Sequence, residues 1–143
     1  MSNIAVKWME EDSRLFVCRD SAGNQMVAGS QSNGQVAGQT LQVTKPTDLL
    51  LMGLAACAAH EIVAILERQR QRLTGLRVEV DARQQLEPPH AFTGIHLQFY
   101  LSGEHLDLSK VSRALDLSVN KYCPVAATLR GVAAITFGFE IEG

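Results

Sequence analysis

The stretch from Pro46 to Arg72 reads PTDLLLMGLAACAAHEIVAILERQRQR, and it decides our prediction of the fold. Pro46 suits the first turn of a helix, where its missing N–H is no loss, and Asp48 adds an acid at the positive end of the helix dipole. From Leu49 to Ala59 the residues are apolar or small on every side of a helix, which is typical of a helix surrounded by protein. The stretch therefore predicts a long, buried central helix.

A membrane span is the alternative interpretation of this stretch. His60 and Glu61 interrupt the apolar run, and the residues from Glu67 onward are strongly polar. The apolar run is therefore shorter than the roughly 20 residues that a bilayer-spanning helix needs. We expect a buried helix and no membrane partner.

Segments of alternating polarity on both sides of this helix predict strands. In Leu76–Arg83 and in Ile95–Leu101, apolar residues alternate with polar or charged ones, which is the pattern of strands with one buried face. The Pro88-Pro89 loop between these two segments predicts an antiparallel pair that covers the helix. Shorter strands are predicted at Ile4–Trp8, Arg14–Cys18, Gln25–Ala28 and Ile135–Ile141.

Two further helices are predicted before the last strand. The first covers Ser109–Tyr122, with Ser109 placed to cap its start. It must end near Cys123, because the residue before a proline is disfavoured in the helical region. Pro124 then begins a short third helix, which Gly131 ends. The chain is therefore predicted to be one α+β domain over residues 1–143, in which an antiparallel sheet wraps around a long buried central helix.

Composition and charge restrict the possible partners. An apolar share of 46% with a charged share of 20% describes a soluble globular protein, and not a fibrous or disordered one. The net charge of −2 leaves no basic excess for a nucleic acid partner. The one cationic cluster closes the central helix, where positive side chains complement the negative end of the dipole; it consists of Arg68, Arg70 and Arg72.

The N-terminus and the cysteine count indicate a reducing compartment. The segment MSNIAVKWMEED has early acids and lacks the apolar region of a signal peptide, so we expect a cytoplasmic protein. Cys18, Cys57 and Cys123 are widely spaced and odd in number, and in the cytoplasm they should be thiols at rest. The sequence has no CxxC, HExxH or Cys/His cluster, so we expect neither a metal ion nor another cofactor.

The local sequence leaves the roles of two cysteines open. Cys57 lies mid-helix in LAACAAH, where a free cysteine is often only a small buried hydrophobe. Cys123 lies between two predicted helices, at the N-cap position of the second one. Exposed N–H groups and the helix dipole there favour a thiolate, which predicts a lowered pKa for Cys123. The alternative is a poor helix cap that happens to be cysteine.

Two segments together resemble the OsmC/Ohr family (osmotically inducible protein C and organic hydroperoxide resistance). Pro46–Cys57, PTDLLLMGLAAC, is similar to the family's helix with the reactive cysteine, and Asn120–Val125, NKYCPV, is similar to its second-cysteine segment. The separation of the two cysteines (123 − 57 = 66 residues) and the order of predicted elements fit the family across essentially the whole chain. The resemblance implies an OsmC-like fold and an intertwined homodimer with shared sites.

The same resemblance implies a thiol-dependent peroxidase that reduces organic hydroperoxides of alkyl chains or fatty acids, as a defence against oxidative stress. Cys57 would attack the peroxide and become a sulfenic acid, and Cys123 would condense with it to a disulfide. An external dithiol would then restore both thiols. One alternative is an OsmC-like dimer that binds small molecules or senses redox state with little turnover. In a second alternative, both cysteines are packing residues.

Activation of Cys57 is where the sequence departs from the family. Ohr-type members typically carry a glutamate directly after the proline, at the position of Thr47, and Asp48 is the next residue here. The family's N-terminal arginine could correspond to Arg14 or Arg19. Asp48 precedes Cys57 by nine residues, which on a straight helix means opposite faces and about 13 Å along the axis. We therefore expect Asp48, as the third catalytic residue, to act from another subunit or through a broken first turn.

The remaining candidates have weaker claims. His60 lies three residues after Cys57, but no third group is evident to orient it, so we expect it to face solvent. Cys18 is predicted to be a structural thiol in an N-terminal strand. Surface positions are also expected for His90, His96 and His105.

Overall fold

Short strands build the N-terminal part of the chain. The computed structural model describes residues 3–11, 13–29, 35–36, 39–40 and 42–142, and the chain divides into two units, Met1–Leu50 and Leu51–Gly143. The strands of the first unit are β1 (Ala5–Trp8), β2 (Leu15–Arg19), β3 (Gln25–Gly29), β4 (Gln35–Val36) and β5 (Gln39–Thr40). The first three form an antiparallel sheet in the order β1-β2-β3, and β4 pairs antiparallel with β5. The three longer strands lie where the sequence predicts them.

One face of the first sheet is apolar and open. In the register of the sheet, Trp8 lies opposite Phe16, and Cys18 lies between Val6 and Met26. Trp8 is 50% exposed and Val6 is 62% exposed. Cys18 is partly buried in this apolar face.

The long helix predicted from the decisive stretch is α1 (Pro46–Arg68), and it begins at Pro46 as expected. It buries one stripe of residues, and within the single chain its other side is open, since Met52 and Val63 are 49% and 42% exposed. Its length and composition alone would let it cross a membrane, but a core helix of a soluble protein has the same properties. The stripe belongs to the hydrophobic core of the second unit and consists of Leu54, Ala58, Ile62, Ile65 and Leu66.

A three-stranded sheet forms the main layer of the second unit, with β6 (Arg72–Gln84), β7 (Phe92–Glu104) and β8 (Ala134–Ile141) in that order. β6 and β7 pair antiparallel, as predicted. β8 pairs with β7 in parallel, with Ile135 opposite Ile95, whereas the sequence predicts an antiparallel sheet throughout. The reason is the helical crossover between β7 and β8, which returns the chain to the end of the sheet where β7 began.

The crossover has three helical pieces: α2 (Leu108–Leu117), a π-helical turn (Ser118–Tyr122) and α3 (Pro124–Leu129). The single helix predicted up to Tyr122 is therefore α-helical only as far as Leu117. In the π-helical turn the backbone makes wider, five-residue hydrogen bonds.

Asp107 caps α2, and the predicted cap, Ser109, does not. The Asp107 carboxylate accepts the backbone N–H groups of Ser109 at 2.9 Å and of Lys110 at 3.4 Å. The Ser109 hydroxyl also donates to this carboxylate, at 2.8 Å. The longer-reaching acid one residue before the helix thus satisfies the free N–H groups that the serine was expected to satisfy.

The core of the second unit lies between α1, one face of the sheet and the crossover helices. Its sheet residues alternate along β7 as the sequence predicts, and they are Ile95, Leu97, Phe99 and Leu101. The α+β fold class with a long core helix is confirmed.

Candidate functional site

Cys57 lies in the middle of α1, at the edge of the core. Its side chain is partly buried, and the next residue, Ala58, is fully buried. The helix dipole acts mainly within the first and last turns, so α1 itself gives little stabilisation to a thiolate at this position. Cys57 is thus a thiol that solvent can reach, and any charge that activates it must come from other side chains.

Cys123 lies at the N-cap of α3, as the sequence predicts. Its Sγ accepts the backbone N–H of Ala126 at 3.4 Å, and its own N–H donates to the carbonyl of Ser118 at 2.9 Å. The side chain is 1% exposed. The chain therefore holds this thiol in a fixed position that water does not reach.

The predicted lowering of the Cys123 pKa is wrong. Burial, and to a smaller extent hydrogen bonding with the Cys57 side chain, raises the pKa of Cys123 to about 11. The N–H of Ala126 acts in the opposite direction but is a smaller effect. Cys57 and Cys123 are thus neighbouring thiols, and Cys123 keeps its proton at neutral pH.

This raised pKa predicts a loss of stability in alkaline solution. The ordinary value is 9.0 and the folded value is about 11, so between these two the unfolded chain releases a proton that the folded protein retains. The contribution of Cys123 to the free energy of unfolding should therefore be constant below about pH 9 and fall by about 2 kcal/mol as the pH rises to 11. Urea denaturation of the reduced protein at the two ends of this range measures the change.

Cys123→Ser is the matched control for this measurement, because serine keeps an N-cap oxygen but does not titrate in this range. Contributions from lysine and tyrosine side chains cancel in the difference between the two proteins. An equal loss of stability in both would contradict a raised pKa at Cys123.

Ser118 links the two cysteine-bearing segments, and sequence reasoning missed it. Its hydroxyl donates to the carbonyl of Ala58 at 2.7 Å, and both residues are fully buried. Its own carbonyl accepts the N–H of Cys123. The only signal in the sequence is that Ser118 continues, at helical spacing, the apolar face of Val111, Ala114 and Leu115, and a serine in a helix usually needs no special explanation.

Arg130 is the second residue that the sequence did not single out. It is the C-cap of α3, and its side chain reaches back to the π-helical turn. Nη1 donates to the carbonyl of Asn120 at 3.0 Å, and Nη2 donates to the carbonyl of Val119. The guanidinium therefore connects the C-terminal end of α3 to the π-helical turn that precedes Cys123.

Asp48 and the two candidate arginines belong to the first unit. Asp48 is exposed in the first turn of α1, and Arg14 and Arg19 are exposed at the two ends of β2. α1 has no break between Asp48 and Cys57. The broken first turn is therefore not observed, and on one continuous helix nine residues place Asp48 and Cys57 on opposite faces.

All four histidines are predicted to lie at the surface, and the prediction is confirmed for three of them, His60, His90 and His105. The His60 side chain is 82% exposed, and its Nδ1 lies 3.9 Å from Glu61 Oε1. His90 and His105 are exposed. His96 is different, because it is half-buried on β7, with Nδ1 2.7 Å from Thr136 Oγ1 and Nε2 3.0 Å from the Gln98 side-chain oxygen.

Comparison with known proteins identifies the family. The model of the family described as OsmC-like protein matches residues 38–137, a segment that includes Cys57, Cys123 and everything between them. The chain belongs to the OsmC-like protein family. The resemblance seen in the two cysteine segments is thus confirmed, and with it a place among small soluble proteins.

Relatives of this OsmC-like protein share its length as well as its fold. Protein YhfA of Escherichia coli strain K12 is 32% identical over 136 residues, which is 95% of each chain. A solved structure described as structural genomics is 30% identical, with a TM-score of 0.84 and 97% of both chains covered. The Organic Hydroperoxide Resistance Protein OhrB of Bacillus subtilis is 18% identical, with a TM-score of 0.64 and 98% of both chains covered, and this likeness shows the fold alone.

Proposed function

We propose that this OsmC-like protein is a cysteine-dependent peroxidase that reduces organic hydroperoxides in the cytoplasm, as a defence against oxidative stress. One observation carries the proposal: a partly exposed thiol, Cys57, lies beside a buried thiol, Cys123, that holds its proton. A peroxide can reach the first thiol but not the second. Relatives of this fold from Bacillus subtilis and Legionella pneumophila are named for organic hydroperoxide resistance, which supports the same function.

The first step takes place at Cys57. Its thiolate attacks the terminal oxygen of the hydroperoxide, an S–O bond forms and the O–O bond breaks. The alkoxide that leaves takes up a proton and departs as an alcohol, and Cys57 becomes a sulfenic acid. Attack by Cys57 follows from its exposure, since a thiol at the surface of the core meets the substrate first.

The second step joins the two cysteines. The sulfur of Cys123 attacks the sulfenic sulfur of Cys57, an S–S bond forms, and the hydroxyl leaves with the Cys123 proton as water. Shielding from peroxide suits Cys123 to this role, because it is not oxidised before Cys57 has reacted, and its proton passes to the leaving hydroxyl as the S–S bond forms. An external dithiol then reduces the disulfide by thiol–disulfide exchange and is itself oxidised.

The surroundings of Cys57 favour apolar substrates. Its neighbours in the preceding turns of α1 are small or apolar, and Leu51, Leu54 and Ala55 pack in or against the same core, whereas the polar residues His60 and Glu61 follow one turn later. Each methylene group that such a surface removes from water contributes about 0.8 kcal/mol. Alkyl and fatty-acid hydroperoxides are therefore the proposed substrates.

Asp48 is proposed as the third catalytic residue. A cysteine in mid-helix needs a nearby cation to react as a thiolate, and a carboxylate is the group that holds such a cation in place. Arg14 and Arg19 are the candidates for that cation. Because Asp48 and Cys57 face opposite sides of one unbroken helix, Asp48 is proposed to act on the Cys57 of a second subunit.

The homodimer that this arrangement requires is supported by two apolar surfaces. On α1, Met52, Ala56 and Val63 are exposed and recur at helical spacing, so they form one open stripe. On the first sheet, Trp8 and Val6 lie in an apolar face that is also open. A soluble monomer rarely leaves such surfaces uncovered, and a second copy of the same chain is the partner that we propose for them.

Mass spectrometry after one equivalent of cumene hydroperoxide tests the proposal. We expect the intact protein to lose two hydrogens, and peptide mapping should place the new disulfide between Cys57 and Cys123. Addition of a dithiol should restore the original mass. Cys57 carrying two or three added oxygens, with Cys123 still a thiol, would contradict the two-step scheme.

An OsmC-like dimer that binds a small molecule or senses redox state with little turnover is the second candidate. Thr47 favours it, since Ohr-type members typically place a glutamate at this position. The rate of cumene hydroperoxide consumption with excess dithiol separates the two functions. A sensor would form the disulfide once and then turn over slowly, although its thiols would still react.

A further inference from the structure

We infer that Ser118 and Arg130 are positioning residues for disulfide formation. Ser118 fixes the turn before Cys123 against the helix that carries Cys57, and Arg130 holds the end of α3 to that same turn. This inference deepens the proposed function and rests on it for its biological meaning. The contacts themselves, and the main test, do not depend on peroxidase activity.

The first contact is made by Ser118. Its hydroxyl donates to the carbonyl of Ala58, the residue directly after Cys57, and its carbonyl accepts the N–H of Cys123. One buried residue is therefore bonded on one side to the helix position beside the first cysteine and on the other side to the second cysteine. Ala58 lies in mid-helix, where its carbonyl has an intrahelical partner, so the extra bond serves as a link between segments rather than as a cap.

The burial of Ser118 makes this link specific. A hydroxyl removed from water costs free energy unless it is hydrogen-bonded, so positions of the π-helical turn that break the bond to Ala58 are disfavoured. Ser118 also begins that turn, and turns of this kind are often found at functional sites. The bond thus fixes where the turn lies on α1.

The second contact is made by Arg130 from the other end of the segment. Its guanidinium donates to the carbonyls of Val119 and Asn120, which lie near the end of the helical piece before Cys123. Carbonyls at a helix end lack intrahelical partners, and charge-assisted bonds from a guanidinium are stronger than neutral ones. Ser118 therefore joins the turn before Cys123 to α1, and Arg130 joins the residue after α3 to the same turn, so Cys123 lies in a closed segment.

Disulfide formation depends on this placement. The two sulfur atoms must approach to bonding distance with a dihedral angle near a right angle, and a misplacement of about 1 Å can cost up to 10²-fold in the rate of a positioned reaction. Loosening either contact should therefore lower the tendency of the two thiols to pair. The attack of peroxide on Cys57 requires neither contact.

The effective concentration of the two thiols for each other measures this placement directly. It is obtained from equilibrium with oxidised and reduced glutathione, in which the protein dithiol is oxidised as glutathione disulfide is reduced to two thiols. We expect Ser118→Ala and Arg130→Ala each to lower it by about tenfold. Arg130→Lys should lie between Arg130→Ala and the wild type, because an ammonium cannot donate to both carbonyls in the fork geometry.

Matched controls come from α2. Ser109→Ala also removes a hydroxyl hydrogen bond, the one to Asp107, but from the end of α2 far from Cys123 in the chain. Arg113→Ala removes an exposed arginine from the same helix. Both should keep the wild-type effective concentration, and near-ultraviolet circular dichroism shows that each variant is folded.

With peroxide, the two steps of the proposed reaction should respond differently to the substitutions. After mixing with cumene hydroperoxide, sulfenic acid at Cys57 should form at the wild-type rate in both positioning variants, whereas the disulfide should form about tenfold more slowly. With excess peroxide, the slower step leaves more Cys57 as sulfinic acid. A variant that was merely destabilised would lose both steps together.

Two outcomes count decisively against the inference. A wild-type effective concentration in folded Ser118→Ala and Arg130→Ala overturns the inference, and so does an equal decrease in the two controls. If Ser118→Ala does not fold, the Arg130 variants alone decide whether the inference holds. Arg130 is exposed, so its replacement does not disturb the core. If the wild-type protein does not react with hydroperoxide, the proposed function fails, yet the glutathione equilibrium still supports or overturns the positioning roles.

Discussion

Cys57→Ser should lower the rate of cumene hydroperoxide consumption by on the order of 10³-fold or more, down to the uncatalysed rate with the dithiol alone. The serine hydroxyl is not ionised at neutral pH and is a poor nucleophile towards peroxide oxygen. The buried partner Cys123 cannot replace Cys57, since its side chain is 1% exposed and its pKa is raised to about 11. A coupled assay with excess dithiol and catalytic amounts of protein measures the loss.

Cys123→Ser separates the two steps of the proposed cycle. This variant should consume about one equivalent of hydroperoxide as fast as the wild type, and then stop or continue slowly as Cys57 is overoxidised. The substitution keeps an oxygen at the N-cap of α3, so the helix is retained. Cys18→Ser, which removes the thiol of the first unit, is the matched control and should have wild-type activity.

Activity that survives in Cys57→Ser would place the reactive group elsewhere and would remove the peroxidase proposal in this form. Full multiple turnover in Cys123→Ser would mean that an external thiol resolves the sulfenic acid directly. The two variants therefore test attack and resolution independently.

The sequence predicted the parts of the fold that depend on local pattern. Pro46 and the apolar run after it predicted the start of α1, and alternation predicted β6 and β7. It did not predict that β8 would be parallel to β7, because alternating residues report which face of a strand is buried and carry no information about its direction. Direction follows from the path of the crossover, which is a property of the whole unit.

The same limit applies to the site. Cys123 was correctly placed at a helix N-cap from the proline that follows it, but its pKa was predicted in the wrong direction. The N-cap argument uses only neighbouring residues, whereas the burial that raises the pKa comes from residues distant in the sequence. Ser118 and Arg130 were missed for the same reason. The hydrogen-bond partner of Ser118 lies 60 residues away in the sequence, and the two partners of Arg130 lie 10 and 11 residues away.

Mixing two inactive variants should restore activity if Asp48 and Cys57 of different subunits share a site. Asp48→Asn alone should lower the rate of hydroperoxide consumption by about 10²-fold, because a neutral amide no longer holds the activating cation beside Cys57. Cys57→Ser alone has no nucleophile. In a mixed dimer, however, one of the two sites contains the intact Cys57 of one chain and the intact Asp48 of the other.

Random pairing after co-expression or refolding of an equal mixture makes half of the dimers mixed, so activity should recover to about a quarter of the wild-type value. If Asp48 assists the Cys57 of its own chain, every site in the mixture lacks one of the two groups, and no activity returns. Light scattering on the same samples shows whether dimers are present. A monomer at micromolar concentration would contradict the shared site directly.

A mixture of Cys57→Ser and Cys123→Ser should, in contrast, not recover its function in the same experiment. Cys57 and Cys123 are neighbours within one chain, so a mixed dimer of these two variants contains no complete thiol pair. Its mass spectrum after hydroperoxide should show no Cys57–Cys123 disulfide, although dimers form as before. Restoration in the Asp48 mixture together with no disulfide in this one would mean that activation crosses the subunit interface while resolution stays within the chain. That division follows from α1 itself, an unbroken helix that carries Asp48 on one face and Cys57 on the other.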